Sequence, residues 1–303
     1  MPRAHVNGLE LEYETFGDPA RPTLLLIMGL GAQLTAWDER LCRQLADHGF
    51  RVVRYDNRDS GLSSHLDDGP QPDLGAVLGG DPASAPYLLA DLARDAIGLL
   101  GALGVDRAHI VGASMGGMIA QQLAIDSPER VLSLCSIMSR PGDPESGLST
   151  PDATRVLMRP RADGREAAIE AGMVASRVIG SPDYPRDDEE LRAYVAASYD
   201  RSSRADGFAR QLTAILASPD RTPGLKEVAV PTLVVHGEAD PLVDVSGGHA
   251  TAAAVPGAKL LTLPGMGHDL PRALWPRIIP AIATNAHAGG GRRMSDDPVT
   301  SPQ

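Results

Sequence analysis

Ser114 stands in Gly112-Ala113-Ser114-Met115-Gly116, a G-x-S-x-G motif between the apolar stretches Ile110-Val111 and Met118-Ile119-Ala120. A strand entering a sharp turn that opens a helix would hold Ser114 at the apex, with its hydroxyl exposed near a helix amino terminus. Glycine on either side suits so tight a bend, because a Cβ there has no room. The plainer alternative is a serine that merely caps the helix, and the strand–turn–helix context favours a nucleophile over it. A serine hydroxyl attacks poorly at neutral pH, so the chemistry requires a base within reach.

Of eight histidines, His268 is the candidate base. It follows Pro264-Gly265-Met266-Gly267, in the loop after the last strand-like run, from where it can reach over a sheet edge. His5, His48, His65, His109 and His249 lie on or beside early elements or helix surfaces, His287 falls in the tail, and His236 ends a strand beside the expected acid. The imidazole needs an acceptor that fixes its tautomer and stabilises its charged form. Asp240, in Gly237-Glu238-Ala239-Asp240 after Thr232–Val235, is the choice over nearby Glu238 and Asp244. The preceding strand ends Met138-Ser139-Arg140 without a carboxylate, and the chain order Ser, Asp, His is the one expected when the serine lies on a strand-to-helix elbow. Backbone N–H groups must face the oxygen that becomes negative. Met115 is one expected donor; Leu30, in Met28-Gly29-Leu30-Gly31, is the other, with an ordinary glycine turn as its alternative. Asp56, Arg58 and Asp59 are read as a structural turn packed beside the nucleophile loop.

These residues need a sheet to carry them. Asn7-Gly8 between alternating residues signals a hairpin. Thr23–Met28 is nearly unbroken apolar, the mark of a strand buried on both faces. Arg51–Tyr55, His109–Val111, Val131–Met138, Thr232–Val235 and Lys259–Leu263 read as further strands, with helical stripes between them at Leu41–Leu45 and Leu88–Leu103. Residues 67–87, rich in Pro, Gly and Asp, read as a long loop. Alternation stops at 140–222, where helical stretches near 163–179, 187–200 and 203–217 suggest an inserted cap over the carboxyl edge of the strands. The expected organisation is a core over 1–139 and 223–287, a cap over 140–222 and a disordered tail over 288–303. Pro276 can open the last helix, and Pro280 should kink it. The fold class is α/β, with a mainly parallel eight-stranded sheet covered by helices on both faces.

Formal charge is −11, spread along the chain, which argues against nucleic acid as a partner. No stretch approaches the roughly 18 apolar residues of a membrane span, and the start of the chain lacks the apolar run of a secretory signal. Cys42 and Cys135 sit on separate elements and suggest neither a disulfide framework nor a metal site. A cytoplasmic protein is expected.

Five stretches, Leu24–Gly31, Arg54–Ser63, His109–Gln121, Pro231–Asp240 and Pro264–His268, make the chain resemble the α/β-hydrolase superfamily. Within it the chain is most similar to actinobacterial esterases that include mycobacterial LipG-type hydrolases and the aclacinomycin methylesterases. Met28 stands where many relatives carry histidine; the similar esterases share it, and a backbone donor at Leu30 does not depend on that side chain. The resemblance implies hydrolysis of a small-molecule ester or thioester without metal or organic cofactor. Serine rather than aspartate as nucleophile excludes epoxide hydrolase and haloalkane dehalogenase chemistry. The function expected is a serine esterase for a small or medium apolar substrate. Lactonase, thioesterase, C–C hydrolase and perhydrolase are alternatives with the same triad, and a binding protein on a retired scaffold is the alternative of another class. Met173, Tyr194, Tyr199, Phe208 and Leu212 are candidate pocket linings, equally able to form the cap's own core. These motifs do not bear on oligomeric state.

Overall fold

At the start of the chain Asn7 and Gly8 both adopt positive φ, 52° and 79°, the tight two-residue turn that matches strand twist. It joins β1 (Arg3–Val6) to β2 (Leu9–Phe16), paired antiparallel. The computed structural model describes residues 1–159, 162–203 and 206–290. The remaining strands are β3 (Thr23–Ile27), β4 (Arg51–Tyr55), β5 (Ala108–Ala113), β6 (Val131–Ile137), β7 (Thr232–Gly237) and β8 (Lys259–Leu263). They form one eight-stranded sheet in the order β1-β2-β4-β3-β5-β6-β7-β8, antiparallel at β1–β2 and β2–β4 and parallel from β4 to β8.

Between and after the strands lie α1 (Glu39–Asp47), α2 (Leu74–Leu78), α3 (Leu89–Ala102), α4 (Met115–Asp126), α5 (Pro151–Leu157), α6 (Arg165–Ile179), α7 (Asp188–Arg201), α8 (Asp206–Ala217), α9 (Thr222–Leu225), α10 (Ser246–Ala254) and α11 (Trp275–Gly290). Period-2 geometry sorts the apolar run of β3 between two cores. Leu25 and Ile27 pack with α3 and α4, whereas Leu24 and Leu26 pack with α1 and α11. The chain leaves β3 toward β4 on one side and returns to β5 on the other. Their carboxyl ends therefore flank the kind of crevice in which open α/β sheets bind ligands, and that is where the segments after Ile27 and Ala113 emerge.

Helices α5 to α8 lie between β6 and β7, and Ile169, Met173 and Leu191 form a small core of their own on α6 and α7. The segment expected to be a bare loop at 67–87 contains α2 and a 3-10 turn at Pro82–Ser84, each opened by an aspartate that accepts from the backbone: Asp73 from the Ala76 N–H and Asp81 from the Ala83 N–H. Elements this short show no hydrophobic period. The last helix runs unbroken through Pro280 and ends at Gly290, three residues into the expected tail, whose other positions lie outside the described residues. Pro276 and Pro280 are both exposed, so the helical bond that Pro280 cannot donate is missing on the exposed side of the helix, while Ile278, Ile279, Ile282, Ala283 and Ala286 bury the opposite face. His287, expected in the tail, belongs to this helix and stacks on Phe50 at 4.8 Å. Among the described residues no helix is long and apolar enough to cross a membrane.

Candidate active site

Ser114 has φ 57° and ψ −122°, left-handed backbone that an L-residue adopts only under constraint. Its neighbours supply that constraint. The Ser114 N–H donates to the Ile137 carbonyl at 2.9 Å. A Cβ on Gly112 would lie 2.0 Å from the Gly116 oxygen, and one on Gly116 would lie 2.1 Å from the Ile27 oxygen. Only glycine at both places lets β5 turn into α4 against the end of β3.

The Ser114 hydroxyl meets His268 Nε2 at 2.9 Å, and His268 Nδ1 meets Asp240 Oδ2 at 2.7 Å. Asp240 is buried, and its other oxygen accepts from the Leu242 and Val243 N–H groups, each at 2.9 Å. A carboxylate so placed draws the imidazole proton to Nδ1 and leaves Nε2 as the acceptor facing the hydroxyl. Glu238 is exposed, and Asp244 accepts from Ser246, so neither competes for this place. His236 lies 3.6 Å from Asp240 but bonds the Val243 carbonyl, and burial lowers its pKa.

Gly29 passes directly over the serine: a Cβ on it would lie 3.0 Å from Ser114 Cβ. Among the described residues neither the Leu30 nor the Met115 N–H meets a protein acceptor. The loop that carries Leu30 is held from three sides. Gly31 donates to Gln211 Oε1 at 2.8 Å, Asn57 Nδ2 donates to the Met28 carbonyl at 2.9 Å, and Asp56 accepts from Leu34 N–H at 2.6 Å. The turn at 56–59 is thus a scaffold. Asp56 pairs with Arg201, Arg58 with Asp95, and Asp59 with Arg210 and Tyr87. Asp59, His65 and Asp67 have ligand atoms within 4.8 Å of one another, but Arg210 reaches both carboxylates, at 2.7 and 3.0 Å, as a cation would.

Above Ser114 and His268 opens a cavity of ≈ 1570 Å³, walled by Met28, Leu30 and Met138 of the core and by residues of the inserted helices. Tyr194, Phe208 and Leu212 line it. Met173 does not; it belongs to the small core between α6 and α7, because its helix turns that stripe toward Leu191. Tyr199 is likewise absent from the wall. Gln211, Ser181 and Asp269 bear on the site without any motif to announce them, although Asp269 adjoins His268. The cysteines are free and buried, Cys42 with its thiol pushed up to about 12 by desolvation.

Residues 22–271 match the family model of the alpha/beta hydrolase fold. Rhodomycin D methylesterase DnrP of Streptomyces peucetius is 30% identical over 91% of this chain and 94% of its own. 3-Oxoadipate enol-lactonase 2 of Acinetobacter baylyi is 28% identical over 78% of this chain and 79% of its own. The crystal structure of the enol-lactonase from Burkholderia xenovorans LB400 superposes with a TM-score of 0.70 at 25% identity, covering 95% of this chain and 99% of that one.

Proposed function

The chain belongs to the alpha/beta hydrolase fold family, and on that footing we propose that it is a serine hydrolase that cleaves carboxylic esters through an acyl-enzyme. The observation that carries this reading is the unbroken line from the Ser114 hydroxyl through His268 to Asp240, at 2.9 and 2.7 Å, opening into the cavity. His268 Nε2 takes the proton as the Ser114 oxygen adds to the ester carbonyl. The Leu30 and Met115 amides receive the negative oxygen. The imidazolium, steadied by Asp240, returns the proton to the departing alcohol, and a water activated at the same nitrogen releases the acid and restores Ser114.

The methylesterase relatives support a carboxylic ester as substrate. The walls are mainly apolar, and the volume exceeds the roughly 300–1,000 Å³ usual for small-molecule sites, which favours an acid of several rings or a long chain. We read the helices over 140–222 as a cap, with Tyr194, Phe208 and Leu212 among its contacts to substrate. A cytoplasmic setting is consistent with Cys42 and Cys135, both buried and not bonded to each other. The enol-lactonase relatives support a second reading, lactone opening by the same acyl chemistry, in which the leaving alcohol stays tethered to the acid.

A panel of p-nitrophenyl and methyl esters set against enol-lactones separates the two. Ester turnover is expected, with Ser114→Ala lowering kcat by about 10^6 and abolishing fluorophosphonate labelling. Turnover of lactones alone would transfer the assignment, and a wild-type chain that neither labels nor hydrolyses would refute both.

A further inference from the structure

The loop that carries His268 is held from two sides. On the sheet side the Met266 carbonyl accepts from the Ala239 N–H at 3.0 Å and the Met266 N–H donates to the Leu263 carbonyl at 3.3 Å; on the other side its polar contacts run to the end of α6 and the segment between α6 and α7. His268 donates its own N–H to the Ile179 carbonyl at 2.7 Å, and Asp183 N–H approaches the Gly265 carbonyl at 3.4 Å. Gly267 N–H donates to Ser181 Oγ at 2.9 Å. The Ser181 hydroxyl in turn donates to Asp269 Oδ1, which also accepts from Ser181 N–H at 3.1 Å. One buried hydroxyl therefore holds the residue before His268 through its lone pair and the residue after it through its proton, using both halves of its bonding capacity.

The approach is close enough to demand glycine. A Cβ on Gly267 would lie 2.3 Å from the Gly180 oxygen, and one on Gly265, at φ +68°, would lie 2.1 Å from Asp183 Oδ2. We propose that Ser181 is a positioning residue for His268, fastening the base loop to the cap so that Nε2 faces Ser114 only while that cap segment is docked. This rests on the reading of Ser114, His268 and Asp240 as the reacting line. Asp269 is the far anchor. Burial pushes its carboxyl up, opposed by the Ser181 bonds and by the charges of Arg186 and His268. Ile179 and Tyr184 of the same segment also line the cavity, so a substrate that fills it presses on the element that aims the base.

The test uses the full chain, with the p-nitrophenyl ester it hydrolyses best. Ser181→Ala should lower kcat by about 10- to 100-fold, the scale of an ångström of misplacement, while KM stays within about twofold. Fluorophosphonate labelling of Ser114 should slow by the same factor, and Ser181→Thr, which keeps the hydroxyl, should recover most of both. An unchanged kcat and labelling rate, or a rise in KM alone, overturns the proposal. If Ser181→Ala does not fold, Asp269→Ala takes its place: it removes the far anchor and leaves the Gly267 bond, so a kcat loss with steady KM supports the tether and an unchanged kcat overturns it. A wild-type chain that labels and turns over while these variants match it sinks only the tether. A wild type that does neither removes the reading beneath it.

Discussion

At the scale of single residues, Asp240 shows how backbone donors decide the protonation of a neighbour. Its Oδ1 is engaged by the Leu242 and Val243 N–H groups, and its Oδ2 faces His268 Nδ1. An asparagine there must keep its carbonyl oxygen against the two N–H groups, which turns its NH2 toward the imidazole. Nδ1 must then accept, the ring proton moves to Nε2, and Ser114 faces a donor in place of an acceptor. Asp240→Asn should accordingly leave the fold intact and lower kcat by about 10^4. Circular dichroism alongside steady-state rates checks it; a loss below tenfold would mean that the tautomer at His268 is set by something else. The same economy explains why Ser114, His268 and Asp240 could be picked out from sequence. Each follows an apolar run that breaks at a short glycine-containing turn, so its place at the sheet edge is written locally. Ser181 carries no such mark, because its partners Gly267 and Asp269 lie 86 and 88 residues away.

At the scale of elements, long apolar strands were legible and short or doubly constrained pieces were not. The β3 run and the stripe of α3 declare themselves by period. Helix α5 has Thr150 as its cap and Pro151 at its opening, yet seven residues give too little periodicity to stand out from a Pro- and Gly-rich approach. Within the insertion, helical spacing could not say which stripe faces the cavity, so Met173 and Phe208 looked alike; packing against Leu191 turns one inward, and the approach of Phe208 to Gly31 turns the other toward the site. What ties α8 to the core is also nonlocal. Arg210, with its side chain fully buried, forms a two-pronged pair with Asp59. Removing one partner of such a pair leaves a buried charge, at a cost of about 3–5 kcal/mol. Arg210→Met should lose that much in urea unfolding, whereas Asp59→Asn with Arg210→Met should recover a large part of it. Equal losses in the single and double variants would show that the pair contributes packing rather than charge compensation.

At the scale of the whole molecule, the interior holds imidazoles that the fold keeps neutral, and this sets how the protein meets acid. His109 is buried between Ser133, at 3.0 Å from Nδ1, and the edge of Phe50, and desolvation brings its pKa down from 6.5 to about 4. Burial lowers His236 in the same direction. The unfolded chain takes up the His109 proton near pH 6.5 and the folded chain only near 4, and His236 shifts in the same direction, so across that window the unfolded state holds more protons and stability falls as pH falls. For His109 alone the loss between pH 7.5 and 5 is about 2 kcal/mol. The buried carboxyls of Asp56 and Asp269, whose pKa values are raised, work the other way and return part of it as they protonate. Aspartates held low, such as Asp244, act below about pH 4 and leave the window to the histidines. The thermal midpoint should therefore drop by roughly 3 °C from pH 7.5 to 5, and the drop should shrink in His109→Gln, which retains a partner for Ser133 but cannot titrate. Parallel melting curves for the two proteins across this range would place the acid sensitivity elsewhere, in the balance of surface charge on a chain that carries a formal −11.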